Sequence, residues 1–289
     1  CCILRHNYKL RHAVLSQPSG FLDDILHASA SVFSSYRRDS AVSAVVAATL
    51  GYGEDIYGKS MLPELLTALC EIDGFKWIRT LYCYPERITD ELLDVIAKED
   101  KLVKYLDMPI QHCNKTILKR MNRHGDRETL TALIKKIREK IPNVTLRTTL
   151  ITGFPGETEE QFEELCEFVK EIRFERLGCF AYSPEEGTPA EKFEDQVPLK
   201  DRERRAEIIM EEQMIISDSF NEAALDSEVE VVCEGFDRYA ECYYGRSQAD
   251  APEIDGKIFF LSEDKVRVGE YVKVKIDDTM DYDLIGSKM

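Results

Sequence analysis

The sequence predicts an α/β protein made of a parallel β/α domain, open or barrel-shaped, followed by a small all-β barrel. From Met61 onwards strand and helix patterns alternate four times, which favours βα units around a parallel sheet. After Leu225 the pattern changes to five short strands separated by Gly and Asp turns, which is typical of a small antiparallel barrel. We therefore divide the chain into residues 1–50, a divergent segment of uncertain fold, residues 51–225, the β/α domain, and residues 226–289, the all-β domain.

Capping residues and prolines bound the predicted elements. Thr89 and Thr158 stand at N-cap positions ahead of amphipathic stretches, and Ser60 is placed in the same way before residue 62. Pro85 closes an aromatic run that is typical of a strand. We predict strands at 77–84, 105–110, 144–151 and 177–182, and helices at 62–70, 90–98, 114–121, 127–140, 159–172 and 200–225. In the all-β domain we predict strands at 229–233, 240–244, 257–261, 271–276 and 282–285.

The charge pattern favours a basic protein partner over nucleic acid. The net charge is −16, and residues 226–289 alone have 16 Asp and Glu against 8 Lys and Arg. Such a surface repels a phosphate backbone and attracts basic proteins. No apolar run reaches the length of a membrane span and no signal-peptide pattern opens the chain, so we expect a cytoplasmic protein. The chain lacks an initiator Met, which is compatible with a fragment.

The nine cysteines indicate reduced thiols, because their number is odd and they are scattered through apolar segments. We expect most of them to be small core residues of a cytosolic protein. No pair has C-x-x-C spacing, and no three have C-x-x-x-C-x-x-C spacing. The sequence therefore predicts no disulfide framework, and it assigns no metal ligand.

The segment 147–158 is the strongest candidate for a ligand-binding edge in the β/α domain. It ends a predicted strand and opens a predicted helix, and ligands gather at the carboxyl ends of parallel strands. Gly153 and Gly156 would let the backbone approach a ligand closely. Glu157 is placed to contact the helix N-terminus or a hydroxyl group. The alternative is a capped βα turn, which explains Glu157 and Thr158 but not the Gly-Phe-Pro-Gly run.

Polar groups also follow the other predicted strands, so the strand ends together predict one site at the edge of the sheet. Asp107, Gln111 and His112 follow one strand, residues 82–87 close another, and residues 180–189 close the last. A lone histidine is more often a hydrogen-bonded structural residue than a catalyst, and we expect this of His112. Each strand end is a weak signal alone, whereas their coincidence indicates a barrel-top site.

A charged loop at residues 243–256 distinguishes the all-β domain. It places Arg246 among Asp250, Glu253 and Asp255, between turn-forming glycines. Composition alone favours a hairpin with a solvated charge cluster. A purely structural strand has no need of this mixture, however, and the order of the residues makes the loop a candidate contact for a partner.

These segments, in this order, resemble the radical S-adenosylmethionine methylthiotransferases. The similar stretches are PIQH at 109–112, MNR at 121–123, GFPGET at 153–158 and FAYSPEEGT at 180–188. The C-terminal part is similar to a TRAM domain. Its stretches YGRS at 244–247, DAPEIDG at 250–256 and DYDLIG at 281–286 resemble the branch that acts on an aspartate of a small-subunit ribosomal protein. Relatives that act on transfer RNA lack this acidic loop.

The resemblance implies a partial, TIM-like radical-SAM β/α barrel followed by a TRAM-like barrel, and an enzyme that β-methylthiolates an aspartate. It implies S-adenosylmethionine and 4Fe–4S clusters as cofactors and a small-subunit ribosomal protein as the substrate. The cofactor-binding residues expected on this basis are Gln111, Arg147, Thr149, Gly153, Gly156 and Glu157. The expected substrate-binding residues are Arg246, Asp250, Glu253 and Asp255, and no catalytic residue is assigned.

The chain departs from the family because the C-x-x-x-C-x-x-C motif, expected before Gly51, is absent, as is the N-terminal cluster domain. A cluster needs those thiolates, so we expect the chain as written to be inactive. We interpret residues 1–50 as a frame-shifted reading, because bases encoding Leu4-Arg5-His6 can encode Cys-Val-Ile in another frame. The alternative explanations are a genuine loss of the cluster site and a chimeric sequence. The alternative functions are a non-catalytic protein that docks a basic ribosomal protein and a relative that modifies transfer RNA.

Overall fold

Two sheets organise the described part of the chain, one an open half-barrel and the other a closed barrel. The computed structural model describes residues 51–289 and, before them, the strands Phe33–Tyr36 and Val42–Ala47. The rest of the segment 1–50, including the tripeptide behind the frame-shift interpretation, lies outside the described residues. The strands of the first sheet are β1 (Phe33–Tyr36), β2 (Val42–Ala47), β3 (Phe75–Leu81), β4 (Leu102–Asp107), β5 (Thr145–Thr152) and β6 (Arg176–Ala181).

In the first sheet each strand lies beside the next one along the chain, in the order β1-β2-β3-β4-β5-β6. The strands β2 to β6 are parallel, and β1 pairs antiparallel with β2. This succession of parallel strands forms a partial β/α barrel, which confirms the predicted fold class. No strand is predicted before residue 77, yet β2 pairs with β3 from Val42↔Phe75 to Ala47↔Leu81.

Helices cover one face of this sheet. They are α1 (Glu54–Tyr57), α2 (Leu62–Glu71), α3 (Asp90–Lys98), α4 (Lys115–Arg120), α5 (Arg127–Lys140), α6 (Glu159–Ile172) and α7 (Leu199–Ala223). The buried apolar side chains of α2 to α7 form one core with alternate strand residues such as Ile78, Leu106 and Leu146. Because side chains alternate across a strand, Trp77 and Tyr105 lie on the opposite, helix-free face.

Capping residues start most of the predicted helices. The Thr89 hydroxyl accepts an N–H from the first turn of α3 at 3.2 Å, and Thr158 forms a capping box at the start of α6. The prediction for Ser60 is wrong, because the N-cap of α2 is Met61 and no side chain caps it. The first turn of α2 contains Pro63, which has no N–H that needs a partner.

Two strands end earlier than predicted because the chain turns there. Strand β3 ends before Tyr82, whose left-handed φ of 60° leaves the strand conformation. Strand β4 ends at Asp107, since Pro109 has no N–H to donate and Gln111 has a φ of 69°. Both turns lie at the carboxyl ends of the strands, where the candidate site is expected.

The second sheet is a closed barrel. Its strands are β7 (Glu228–Asp237), β8 (Cys242–Arg246), β9 (Ile258–Leu261), β10 (Tyr271–Met280) and β11 (Asp283–Lys288), in the order β10-β11-β9-β8-β7. The prediction of an antiparallel barrel is wrong for one pair, because β9 and β11 are parallel. A closed ring of five strands cannot alternate direction throughout, so at least one neighbouring pair has to be parallel.

This barrel packs on the helix-free face of the half-barrel. Trp77 meets Tyr271 edge to face, with ring centroids 4.8 Å apart, and Tyr105 packs in the same cluster with Val232 and Ala251. The barrel therefore covers part of the face that the helices leave open. No helix in the described part of the chain combines the length and apolar character needed to cross a membrane.

Candidate functional site

Asp107, the last residue of β4, connects the ends of β3 and β4 with the first half of β5. Its buried carboxylate accepts a hydrogen bond from Arg147 Nη1 of β5 at 2.8 Å. The same carboxylate accepts the Tyr82 N–H at 3.1 Å, and the Asp107 carbonyl oxygen accepts the Cys83 N–H at 2.7 Å. The turn after β3 is thus held by β4, and β4 is held by β5. We call the carboxyl ends of these three strands the strand-end edge.

Gln111 continues the strand-end edge with a strained backbone. Its φ of 69° lies in the left-handed region, which costs a non-glycine residue about 1–3 kcal/mol. Two hydrogen bonds hold it: the Gln111 N–H donates to the Thr149 carbonyl at 2.9 Å, and the Ile151 N–H donates to the Gln111 carbonyl at 2.8 Å. Both Gln111 and Thr149 are half-buried, so this edge carries polar side chains that solvent still reaches.

The Gly-Phe-Pro-Gly-Glu turn after β5 is built around the buried Glu157. A carboxylate oxygen of Glu157 accepts the Gly153 N–H at 2.9 Å. A side chain at Gly153 would place its Cβ 2.3 Å from Arg202 Cγ, and one at Gly156 would meet Asp195 Oδ2 at 2.5 Å. Both glycines therefore allow close approach of the chain's own side chains, which accounts for the glycines of the run.

His112 lies fully buried behind this turn. Its Nδ1 accepts the Asn114 N–H at 2.9 Å, and its Nε2 lies 3.5 Å from a carboxylate oxygen of Glu157. The other carboxylate oxygen accepts from Arg205 of α7 at 2.8 Å. Because Nδ1 is an acceptor, the neutral imidazole carries its proton on Nε2, toward Glu157. His112, Glu157 and Arg205 together connect the turn with α7.

The acidic loop, residues 247–256, lies against the helix-free face and places two carboxylates inside the chain. Asp250 accepts from Arg176 Nη2 of β6 at 2.8 Å, and Asp255 accepts from the Tyr105 hydroxyl of β4 at 2.6 Å. The second oxygen of Asp255 lies 3.6 Å from Arg147 Nε. The alternative of a solvated loop is thus wrong for both aspartates, because the arginines of the sheet compensate their burial.

The remaining two residues expected to bind substrate differ in exposure. Arg246 is buried, and its Nε donates to Glu234 at 2.7 Å within the closed barrel. Glu253 is exposed and has a left-handed φ of 63° at the tip of the loop. Among Arg246, Asp250, Glu253 and Asp255, a partner reaches Glu253 alone while the loop is docked.

Burial affects the two buried aspartates differently. Burial by itself would raise the pKa of Asp250, but Arg176 and the hydrogen bonds from Ser247 outweigh it and hold that pKa below its usual value. For Asp255 burial dominates, so its pKa is raised despite the hydrogen bond from Tyr105. Relative to the unfolded chain, the fold therefore makes Asp250 harder to protonate and Asp255 easier to protonate.

Sequence reasoning missed three groups on the helix-free face: Arg79, Tyr105 and Arg176. The buried guanidinium of Arg79 stacks over the Tyr105 ring at 4.2 Å and donates to the Gln248 carbonyl at 2.8 Å. Burial lowers the pKa of Arg79 to about 10, so it stays cationic at neutral pH. A signal was present, because an arginine inside the largely apolar run 77–81 indicates a buried partner.

The described residues do not fit a 4Fe–4S cluster. Such a cluster needs cysteine thiolates at one place, and no group of three His, Cys, Asp or Glu that could hold a metal occurs among the residues that the structure describes. The cysteines there are free and dispersed over both domains. Burial raises the pKa of Cys83 and that of Cys179 to about 12, so these thiols stay protonated at neutral pH.

Two family models match the chain. The model of the Radical SAM superfamily matches residues 39–169, and that of the TRAM domain matches residues 227–288. Among solved structures, the radical SAM enzyme coproporphyrinogen III oxidase (HemN) of Escherichia coli is similar over 54% of this chain and 36% of its own, with 25% identity and a TM-score of 0.43. By the family models, the chain is a radical SAM superfamily protein with a TRAM domain.

Individual relatives narrow the assignment from the superfamily to one family. Over 239 residues the chain is 51% identical to the ribosomal protein uS12 methylthiotransferase RimO of Lachnoclostridium phytofermentans, which covers 83% of this chain and 54% of that protein. Over 238 residues it is 48% identical to the RimO of Clostridium botulinum strain Okra, covering 82% and 53%. The chain belongs to the RimO family of radical S-adenosylmethionine methylthiotransferases, a family of enzymes. It spans about half the length of these relatives.

Proposed function

We propose that this chain is part of a cytoplasmic methylthiotransferase that acts on the β-carbon of an aspartate in a small-subunit ribosomal protein. The observation that carries the proposal is the 51% identity to a uS12 methylthiotransferase over 83% of the chain. The strand-end edge supports it, because Asp107 and Gln111 place polar groups at and just after the carboxyl end of β4, where parallel barrels bind ligands. Members of this superfamily generate radicals with S-adenosylmethionine and a 4Fe–4S cluster.

At the strand-end edge we propose Gln111 and Thr149 as the groups that contact S-adenosylmethionine. They are half-buried, whereas Gly153, Gly156 and Glu157 support the turn behind them. We propose that this turn contacts the cofactor through its main chain and not through the carboxylate of Glu157. Arg147 contributes by holding Asp107 at the edge.

Calorimetric titration with S-adenosylmethionine tests this assignment. In the variant Gln111→Asn the side chain is shorter, while the introduced asparagine tolerates the left-handed backbone. Binding of S-adenosylmethionine should therefore weaken about tenfold. The control Gln248→Asn makes the same change at an exposed position of the acidic loop and should bind as the wild type does. Equal affinities of Gln111→Asn and the wild type would remove Gln111 from the site.

We infer that the chain as written does not assemble the 4Fe–4S cluster. Its sequence has no C-x-x-x-C-x-x-C motif, and the described cysteines are dispersed and buried or half-buried. Anaerobic reconstitution with iron and sulfide should leave the 289-residue chain without the brown chromophore and without cleavage of S-adenosylmethionine. The Lachnoclostridium phytofermentans relative, treated in parallel, is the positive control. A stoichiometric cluster on this chain would refute the inference.

The coding DNA tests the frame-shift interpretation of residues 1–50. If another reading frame upstream of Gly51 encodes the three spaced cysteines, the natural enzyme has the cluster site and this reading lost it. If no frame encodes them, the frame shift is wrong, and genuine loss or a chimera explains the segment. Genuine loss would favour the non-catalytic alternative, a protein that docks a basic ribosomal protein.

We propose that the substrate binds an acidic surface of the TRAM domain. Residues 226–289 have 16 acidic against 8 basic side chains, and acidic surfaces steer basic proteins. Glu253 is the exposed acidic residue of the acidic loop, and the end of that loop reaches the β10–β11 hairpin, where Gly256 approaches the Tyr282 carbonyl. The exposed acidic residues of that hairpin are Asp277, Asp278 and Asp281.

Binding of recombinant uS12 to the immobilised chain tests this surface. Glu253→Lys combined with Asp281→Lys should weaken binding at low salt, and the difference should shrink as salt is raised. Glu139→Lys, a charge reversal on an exposed position of α5, is the control and should have little effect. Unchanged affinity of the double variant would remove these residues from the interface. Salt-sensitive binding of transfer RNA would instead favour the RNA-modifying alternative.

A further inference from the structure

A buried ion cluster joins the two domains. On the helix-free face Arg147 of β5 meets Asp255 of the acidic loop, and Arg176 of β6 meets Asp250. Arg79 of β3 lies beside them and donates to the Gln248 carbonyl of the same loop. All five side chains are largely withdrawn from solvent. A buried charge is tolerated when partners compensate it, so each domain supplies the charges that the other one needs.

The apolar part of the same interface is small. It consists of Trp77, Leu81, Val103 and Tyr105 of the half-barrel and Val232, Ala251 and Tyr271 of the TRAM barrel. Apolar contact is non-directional, whereas paired charges specify one geometry. The ion cluster therefore provides directional contacts between the two domains, together with the ion pair between Lys76 and Glu230.

From Asp255 a chain of polar contacts leads to the strand-end edge. Arg147 lies between two carboxylates, with Nε 3.6 Å from Asp255 and Nη1 donating to Asp107 at 2.8 Å. Asp107 in turn accepts the Tyr82 N–H at 3.1 Å and the Cys83 N–H at 2.7 Å. Tyr82 has an exposed ring and a left-handed φ of 60°, so its turn depends on these bonds.

We propose that the acidic loop is a latch: Asp250 and Asp255 are positioning residues that hold the TRAM barrel on the half-barrel and, through Arg147 and Asp107, fix the turn at Tyr82. Asp250 closes the latch, and Asp255 connects it with the strand-end edge. The latch consists of contacts within the chain, so its test does not depend on the proposed methylthiotransferase function or on any partner.

The single tryptophan of the chain, Trp77, reports the latch directly. It is 3% exposed, and its ring contacts Tyr271 of the TRAM barrel. In the full chain, Asp250→Asn removes the charge that faces Arg176 and nearly keeps the side-chain volume. Loss of one partner of a buried pair should shift the docking equilibrium about a hundredfold or more. Trp77 emission should then move to longer wavelength, and quenching by acrylamide should increase.

The variant Glu253→Gln is the matched control, because it removes a charge from an exposed position of the same loop. It should leave the emission and quenching of Trp77 at wild-type values. Wild-type Trp77 emission in Asp250→Asn would overturn the proposal. If Asp250→Asn fails to fold, Arg176→Lys keeps the charge but loses the planar fork; increased quenching in that variant supports the latch, and wild-type quenching overturns it.

Amide hydrogen exchange tests the connection to the strand-end edge. In Asp255→Asn the Tyr82 and Cys83 N–H groups should exchange about tenfold faster, because Arg147 no longer holds Asp107 in place. Wild-type exchange rates at these two amides would overturn the positioning role of Asp255, even if Trp77 emission changed.

Two controls separate positioning from general loosening. The Leu92 N–H, which donates to the Thr89 cap of α3 at 3.2 Å, should keep its exchange rate in Asp255→Asn. The variant Asp107→Asn should speed exchange at Tyr82 and leave Trp77 emission unchanged, since Asp107 acts on the half-barrel side of the domain contact. Faster exchange at Leu92 as well would show general loosening and overturn the specific connection.

Discussion

A methyl group added at Gly153 should destabilise the protein more than the same group added at Gly187. Both residues have a left-handed φ, 70° and 81°, so replacement by alanine carries the same conformational cost of about 1–2 kcal/mol at each. No atom lies within 4 Å of a Cβ at Gly187, whereas a Cβ at Gly153 would lie 2.3 Å from Arg202 Cγ and 2.9 Å from Arg202 Cα. The difference between the two variants therefore isolates packing.

The clash at Gly153 cannot be relieved by rotating a side chain, because the Cα of Arg202 belongs to the backbone of α7. Overpacking that moves backbone costs about 1–3 kcal/mol. Arg202 also donates to the Val197 and Tyr182 carbonyls at 2.6 and 3.1 Å, so a shift of α7 would weaken these bonds. Gly153→Ala should thus cost about 2–5 kcal/mol, against about 1–2 kcal/mol for Gly187→Ala.

Urea unfolding followed by far-UV circular dichroism measures both values on the full chain. The free energy of unfolding, extrapolated to water with a shared slope, should be lower for Gly153→Ala than for Gly187→Ala. Equal free energies for the two variants would refute the reasoning, since the contact between α7 and the turn would then carry no packing constraint.

Three further predictions concern buried charge, pH and capping. Glu157→Gln should lower the free energy of unfolding by about 1–3 kcal/mol, because a buried charged hydrogen bond is weakened while Arg205 of α7 keeps its second contact, with Glu159. The exposed Glu159→Gln should cost at most about 1 kcal/mol, and equal losses in urea would contradict this. Burial raises the pKa of Asp255, so the native state binds a proton on this carboxylate more tightly than the unfolded state does. The free energy of unfolding should therefore fall as pH rises from about 4 through the raised pKa. In Asp255→Asn that fall should be smaller, and pH profiles identical to wild type would exclude Asp255 as the source. Thr89→Ala should cost about 1 kcal/mol through loss of its cap, while Ser60→Ala, which caps no helix, should leave the urea midpoint unchanged; a similar loss in both would contradict the cap assignment.

Local signals predicted the elements where they act over a few residues. The helices at 90–98, 127–140 and 159–172 have the predicted bounds, because capping and periodicity are properties of neighbouring residues. The predicted strand ends at 84 and 110 were wrong for the opposite reason. The left-handed turns at Tyr82 and Gln111 are held by hydrogen bonds from other strands, which no local pattern reports.

The strand-end residues were predicted as a group, but their roles were not. The sequence placed Asp107, Gln111 and Glu157 at the carboxyl ends of parallel strands, and the fold brings those ends to one edge. It did not reveal that the glycines beside Glu157 make room for Arg202 and Asp195, because those residues come from segments that follow later in the chain.

By itself, the sequence determined the family, the order of the elements and the acidic loop as a distinctive feature. Only the tertiary structure decided that the carboxylates of this loop are buried. Asp255 meets Tyr105, 150 positions earlier, and Asp250 meets Arg176, 74 positions earlier. A carboxylate is stable away from water when a cation or a donor faces it. Which side chain faces it depends on the curvature of the half-barrel and on where the second barrel docks, and these are properties of the whole fold.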